Sequence, residues 1–152
     1  MVLGGWQMGG IFSVQSGQQV WVRSANNTTG TFSLLMRPDL VGKPSLSRQQ
    51  RTLLKWFNTS AFQAPAPLHF GTSPKSPNIQ GPPWYDLDLN IHRFIHIPLG
   101  ENTRFELRGE CFNCANHANF LPPNGLQGST TFGRITSAES ARTLQVAGKL
   151  WF

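Results

Sequence analysis

The stretch Tyr85-Asp86-Leu87-Asp88-Leu89-Asn90-Ile91-His92 decides the fold, because its side chains alternate strictly between apolar and polar. Successive side chains of a β-strand point to opposite faces, so this stretch predicts a strand with one apolar and one polar face. Three other segments alternate in the same way. Their apolar positions are Trp6, Met8, Gly10, Phe12 and Val14; Phe105, Leu107, Gly109 and Cys111; and Leu144, Val146, Gly148, Leu150 and Phe152. We therefore predict strands near residues 5–16, 84–97, 103–113 and 142–152.

The connections between these strands indicate which kind of sheet they form. A short turn at 98–102 joins the second strand to the third, whereas long loops at 17–83 and 114–141 make the other two connections. Outer-membrane barrels have short periplasmic turns and long extracellular loops. The chain is therefore predicted to be all-β: an antiparallel transmembrane β-barrel segment of about four long strands, forming an open curved sheet with two long extracellular loops.

The short turn also predicts which side chains share a face. In an antiparallel pair, opposed residues have a constant sum of positions, and both point to the same side. A sum of 198 places Arg108 opposite Asn90, and a sum of 200 places it opposite His92. In either register the polar residues form one face, which we expect to line the lumen: Asp86, Asp88, Asn90, His92, Arg104, Glu106, Arg108 and Glu110.

The composition excludes several other classes of protein. Only 13% of the 152 residues are charged, while 11% are aromatic, and the chain has 15 Gly and 11 Pro. A helix bundle would be richer in charge and a disordered tail poorer in aromatics. No apolar run reaches the ~18 residues of a transmembrane helix. The N-terminus lacks the basic and apolar segments of a signal peptide, so we expect any export signal to lie outside this chain.

The net charge of +6 raises nucleic acid as a partner. Seven of the 13 Lys and Arg residues lie between residues 17 and 84, where Asp39 is the only acid. They are spread among Pro, Ser and Asn and do not cluster on a helix face, which is typical of a solvated loop. We expect no nucleic-acid partner, and keep a basic nucleic-acid-binding β-domain as a third alternative.

The two cysteines, Cys111 and Cys114, have the spacing of a redox pair or of half a zinc site. A redox pair requires a βαβ context, which the sequence does not show. A zinc site could add His117, but no fourth ligand follows at a suitable spacing. We therefore expect no metal and no cofactor, and regard the cysteines as small residues at a strand end that are able to oxidise.

The sequence also predicts that the chain is not an enzyme. Asp86 and Asp88 would lie about 7 Å apart on one face, a spacing compatible with paired-carboxylate chemistry but equally common on a polar wall. His92 and His96 would be about 13 Å apart, too far to bind one zinc ion. The motifs G-x-S-x-G and H-E-x-x-H and a phosphate-binding loop do not occur.

Several stretches, in order and with their spacing, carry a resemblance to a known family. They are Gly5-Trp6-Gln7 through Gln15-Ser16-Gly17-Gln18, then 37–42, 56–62, 81–89, 112–113 with 116–120, and 132–138. Over nearly its whole length the chain resembles the C-terminal barrel portion of Oar-like TonB-dependent receptors, outer-membrane proteins abundant in Acidobacteria. It departs from that pattern at Cys111 and Cys114, and at His92, Arg93 and His96.

The resemblance implies a receptor in the cell outer membrane that binds and imports a large nutrient through a gated barrel. Energy would come from the TonB complex through an N-terminal plug, which this sequence lacks, so we expect a fragment of a longer protein. Implied partners are outer-membrane lipid, the remainder of the barrel and plug, TonB through parts absent here, and an unknown nutrient. The C-terminal strand resembles the β-signal read by the barrel-assembly machinery, with Leu144, Val146, Gly148, Leu150 and Phe152 as its alternating residues.

The main alternative is a soluble secreted β-sandwich or carbohydrate-binding module that uses Trp21, Trp56 or Trp84 as stacking platforms. Alternating strands are common to both kinds of protein. Within the first long loop, the sequence further predicts that Val20-Trp21-Val22 extends the first strand and that a helical turn forms near Ser47–Phe57.

Overall fold

The computed structural model describes residues 4–32, 36–98 and 103–152, and these are almost entirely β-strands and irregular chain. The strands are β1 Trp6–Gln15, β2 Arg23–Ser24, β3 Asp39–Leu40, β4 Phe62–Gln63, β5 Trp84–His96, β6 Arg104–Phe112, β7 Leu126–Gln127 and β8 Thr143–Trp151. Two single 3₁₀ turns occupy Arg48–Gln50 and Thr59–Ala61. The long strands begin and end within one residue of their predicted limits, and residues 99–102 of the predicted turn lie outside the described residues.

The four long strands form one antiparallel sheet in the order β1-β5-β6-β8. Between β5 and β6, His92 faces Arg108 and Asn90 faces Glu110. This is the predicted register with a position sum of 200, and the register that places Arg108 opposite Asn90 is not formed. Both registers keep polar residues together, so the alternation of the sequence alone could not choose between them.

The pairs β1–β5 and β6–β8 also keep apolar residues on one face of the sheet and polar residues on the other, with few exceptions. Met8 of β1 faces Ile91, and Leu107 of β6 faces Gly148 of β8. The Phe105 ring lies across Gly148, where a side-chain carbon would come within 2.8 Å of it. Among the described residues β1 and β8 do not pair with each other, so the sheet is open. The prediction of an all-β antiparallel sheet of four long strands is confirmed.

The residues between these strands fold into a compact unit with its own core. This loop unit comprises residues 16–83 and 120–138. Its buried hydrophobic cluster is Val20, Val22, Phe57, Ala61, Phe62 and Ile79. The sequence treats the two long connections as separate loops, but strand β2 of the first pairs in parallel with β7 of the second. The packing of the two connections against each other is the feature that the alternation pattern could not reveal.

Aromatic side chains hold the two connections of the loop unit together. Phe57 and Phe62 from the first connection pack edge-to-face with Phe132 from the second, with ring centroids 5.2 and 6.0 Å from that of Phe132. Such pairs contribute about 0.5–1.5 kcal/mol beyond the burial of their area. The core of the loop unit is therefore shared between segments that are distant in sequence.

Two predictions for the first loop have different outcomes. The helical turn is confirmed in short form, as the 3₁₀ turn Arg48–Gln50 that follows Ser47. The prediction that residues 20–22 extend the first strand is wrong, because β1 ends at Gln15 and the Val20 N–H donates to the Ile79 carbonyl at 2.9 Å. Val20 and Val22 are buried in the loop unit. No helix in the described part of the chain is long and apolar enough to cross a membrane.

Candidate functional site

The polar residues predicted to share a face are brought together by the sheet. They occupy even-numbered positions of β5 and β6, and the register with a sum of 200 keeps even positions opposite one another. The residues concerned are Asp86, Asp88, Asn90, His92, Arg104, Glu106, Arg108 and Glu110. Neighbouring strands add Gln7 beside His92 and Gln145 beside Glu110. The result is a mainly polar face that extends across four strands.

Several of these polar groups bind one another. Arg108 Nε lies 3.0 Å from Glu110 Oε1, and His92 Nε2 lies 2.8 Å from Gln7 Oε1. In the described residues, Asp86 Oδ1 and His92 Nδ1 are buried polar atoms without a hydrogen-bond partner. The face thus contains both polar groups that bind one another and buried polar atoms without a partner.

A cluster of aromatic and basic side chains interrupts this polar face near the end of β5. The Arg104 guanidinium carbon lies 5.2 Å from the centre of the Phe94 ring and 5.1 Å from that of Trp151. Lys149 Nζ lies 3.7 Å from the Trp151 ring centre. These distances are typical of cation–π contacts. This cluster is not among the sequence predictions, although Phe94 and Trp151 both occupy polar-face positions of their strands.

The opposite face of the sheet is apolar and exposed. Met8, Phe12 and Val146 are 77%, 70% and 79% exposed. From Tyr85 to Ile95 the strand advances about 34 Å, which at a tilt of ~45° spans about 24 Å and matches the ~25 Å apolar band of outer-membrane barrels. Arg93 points to this face, and its guanidinium lies 5.7 Å from the Trp6 ring centre. An apolar face of this extent requires a covering in water.

At the other end of β5, a side chain replaces the missing backbone partner of Tyr85. The register would place Ala115 opposite Tyr85, but β6 ends at Phe112. Asn119 takes this place: the Tyr85 N–H donates to Asn119 Oδ1 at 3.0 Å, and Asn119 Nδ2 donates to the Tyr85 carbonyl at 2.7 Å. Asn119 is only 3% exposed. It therefore fixes the point at which the chain leaves the sheet.

Asn113 and a disulfide make further contacts in the segment that follows β6. The Asn113 N–H donates to Asp88 Oδ1 at 3.0 Å, which gives one predicted polar-face residue a structural role. Cys111 and Cys114 form a disulfide, so neither has a thiolate for zinc. His117, the proposed third ligand, has its Nδ1 2.9 Å from Asn119 Oδ1. These contacts give the segment a structural role where the chain leaves the sheet.

Replacing Asn119 by alanine is expected to remove both bonds to Tyr85 and to destabilise the end of β5. An unpaired buried polar group costs about 1–3 kcal/mol, so the Tyr85 amide should exchange its hydrogen at least about tenfold faster. Hydrogen exchange resolved to that amide measures the effect. Asn26→Ala, at an exposed asparagine of the loop unit, is the control and should leave the exchange unchanged. Equal exchange in both variants would refute this role.

The loop unit contains a basic cleft of about 500 Å³. The side chains that line it include Arg48, Arg51, Trp56 and Gln80, and its other lining residues are Ser16, Gly17, Gly81 and Pro83. The loop unit contains eight of the 13 Lys and Arg residues but only one of the seven Asp and Glu residues. In the sequence, the excess of basic residues and Trp56 are separate features of the first long loop. The fold brings Trp56 together with Arg48 and Arg51.

Comparison with known proteins agrees with this arrangement of faces. No curated protein and no solved structure matches the chain. A family model described as outer membrane beta barrel domain matches residues 1–145, which is nearly the whole chain. The open sheet, with one exposed apolar face and one polar face, is the structure that such a domain requires of its wall. The chain therefore belongs to the outer membrane beta barrel domain family.

Proposed function

We propose that this chain forms part of the wall and the external loops of a TonB-dependent receptor that imports a large nutrient. The observation that carries this proposal is the separation of a mainly apolar face from a mainly polar face, which extends over all four strands. Most apolar residues lie opposite apolar residues, as Met8 lies opposite Ile91 and Phe105 opposite Leu150, and Arg93 and Phe94 are exceptions. The apolar face would contact outer-membrane lipid, and the polar face with Asp86, Glu106 and their neighbours would line the lumen. The specific receptor type is supported by the resemblance of the sequence motifs.

The strand order supports an orientation in the membrane. Gln15 faces Trp84, and Phe112 faces Thr143, so both long connections leave the sheet at the same end. Short turns are periplasmic and long loops extracellular in outer-membrane barrels. In this proposal the loop unit belongs to the cell surface, where it would meet the ligand first, and the ends of β5 and β8 at His96 and Trp151 lie on the periplasmic side.

The open edges support the proposal that β1 and β8 pair with further strands of a barrel. Unpaired backbone groups in lipid cost several kcal/mol each, and barrels of this kind have about eight strands or more. The alternating residues of β8 and Phe152 would serve as the signal for barrel assembly. The function would then be binding and gated passage of a solute, without bond chemistry.

The soluble sandwich is less consistent with the sheet. A sandwich buries one face of each sheet against the other, whereas Val146 is 79% and Leu144 73% exposed. In the described residues, the other two sheets are pairs of two-residue strands. Neither is large enough to cover a sheet of four long strands.

Cells that express the gene in its natural context test the proposal. The protein should fractionate with the outer membrane and migrate faster on gels before heating than after heating. Uptake of its nutrient should stop when the proton-motive force is collapsed, while surface binding of that nutrient should persist. Recovery of the protein in the soluble fraction would refute the barrel function, and uptake that is insensitive to the proton-motive force would refute the TonB-dependent class.

A further inference from the structure

We propose that the cleft of the loop unit binds an acidic sugar, with the acid group held by Arg48 and Arg51 and the sugar ring packed on Trp56. All the residues that line this cleft belong to residues 16–83. Its volume of about 500 Å³ lies within the ~300–1,000 Å³ of small-molecule sites. This binding site goes beyond the proposed receptor function, since it names a ligand class and requires no energised transport.

The charge around the cleft favours an anion. Arg48 and Arg51 line it, and Asp39 is the only acid in the sequence of the loop unit. The Asp39 carboxylate accepts the Thr72 N–H at 2.9 Å. The described residues contain no carboxylate within ion-pair distance of either arginine of the cleft. Guanidinium groups bind carboxylate, sulfate and phosphate through paired hydrogen bonds, so two unneutralised arginines are suited to an acidic ligand.

The contacts of Arg51 leave part of its guanidinium for such a ligand. Its Nε donates to the Leu46 carbonyl at 3.1 Å, and its guanidinium carbon lies 5.8 Å from the centre of the Trp56 ring. These contacts hold the planar group in place through Nε and leave the Nη hydrogens as donors. Arg48 is exposed on the 3₁₀ turn three residues earlier and supplies a second cation. Arg51 is thus positioned before the ligand arrives, which lowers the entropic cost of binding.

Trp56 supplies the apolar surface for the ring. Its indole N–H donates to the Gln80 carbonyl at 2.8 Å, which fixes the orientation of the ring. The side chain is only half-buried, so part of the indole borders the cleft beside Pro83. A sugar offers an apolar face to an aromatic ring and hydroxyl groups to an amide such as Gln80. A simple inorganic anion would use the arginines but would gain nothing from Trp56.

Two backbone segments that contribute to the lining of the cleft pair with each other. The Gly81 N–H donates to the Gln18 carbonyl at 2.8 Å, and Gln19 pairs with Gln80. A side-chain carbon at Gly17 would collide with the Gly81 carbonyl oxygen, so glycine is required for this approach. Trp21, the other tryptophan of the loop unit, differs in that both Arg23 and Lys75 lie 5.7 Å from its ring centre. Trp21 does not line the cleft, and two cations contact its ring, whereas one cation, Arg51, contacts the ring of Trp56.

Calorimetric titration of the full chain in detergent tests the proposal, with digalacturonate as the acidic probe, cellobiose as the neutral probe and inorganic phosphate as the simple anion. We expect digalacturonate to bind at least about tenfold more tightly than either of the other two. Arg48→Gln should weaken its binding at least fivefold, because Arg48 is exposed and makes no contact that the fold requires. Arg37→Gln is the matched control, since Arg37 is exposed in the same unit but does not line the cleft. It should change the affinity less than twofold.

Each of the other outcomes would overturn the proposal. Equal weakening by Arg48→Gln and Arg37→Gln would mean that the net charge of the loop unit attracts the probe without a site. Phosphate binding as tight as digalacturonate binding would leave no role for Trp56. Cellobiose binding as tight as digalacturonate binding would leave no role for the arginines. The absence of any heat of binding with all three probes at millimolar concentration would exclude an acidic-sugar site.

Discussion

The Leu89→Arg protein is expected to fail to assemble in the outer membrane. Leu89 lies near the middle of the apolar face, between Gly10 of β1 and Cys111 of β6, and is 39% exposed. An arginine on the lipid-facing side at the membrane midplane costs about 2–4 kcal/mol. Because each ~1.4 kcal/mol is a factor of ten in an equilibrium, the ratio of folded to unfolded protein should fall about 30- to 900-fold, and the heat-modifiable band should weaken. Gel migration of unheated outer-membrane fractions measures the loss.

Asn90→Arg provides the control for this substitution. Asn90 is the next residue along β5, points to the polar face and lies opposite Glu110. The same side chain introduced one position away therefore enters a polar surface with an acid beside it, and assembly should be preserved. A protein in which Asn90→Arg is the more damaging change would have its polar face toward lipid, contrary to the separation of faces described above.

The second large effect is expected in the loop unit. Phe57→Ala should destabilise the core that the two long connections share. Phe57 is completely buried and contacts both Phe62 and Phe132. Truncation of a buried phenylalanine to alanine costs about 3–5 kcal/mol. Local unfolding should then become about 100-fold more frequent or more. Hydrogen exchange by mass spectrometry should show faster exchange in peptides from residues 16–83 and 120–138.

Phe70→Ala removes the same atoms from an exposed site and is the control. Phe70 is 72% exposed, so its truncation should change exchange in the loop unit little. Peptides from β5 and β6 report on the sheet in the same experiment. If Phe57→Ala and Phe70→Ala give the same exchange rates, the loop unit has no cooperative core and the two connections behave as independent loops.

The strands and their faces could be predicted from local pattern, and the physical reason is the period of two. Neighbouring side chains such as Leu87 and Asp88 point to opposite sides of a strand, whichever strand it pairs with. The alternation of apolar and polar residues therefore predicts which face is apolar and which is polar. The register of β5 and β6 could not be chosen, because sums of 198 and 200 preserve the faces equally. That choice depends on hydrogen bonds beyond the strand, among them those that Asn113 donates to Asp88 and Asn119 donates to Tyr85.

The interior of the loops could not be predicted, because it lacks a period. Val20-Trp21-Val22 has the composition of a strand, and the prediction that it continues β1 followed from that composition alone. Its valines are instead buried in the loop unit, with the Val20 N–H bound to Ile79, more than fifty residues later. Contacts between distant segments of irregular chain depend on side-chain shape and on glycines such as Gly17, and neither has a signature in local sequence.

By itself, the sequence determined the number of long strands, their limits, the polar and apolar faces and the membership in an outer-membrane class that these imply. It could do so because a sheet with one face toward lipid requires alternating apolar and polar residues, and this alternation is visible within each short segment of sequence. Only the tertiary structure decided the register, the replacement of a backbone partner by Asn119, and the joining of Arg48, Arg51 and Trp56 in one cleft. These features depend on where residues distant along the chain come to lie, which is fixed by packing and by the pairing of backbone groups.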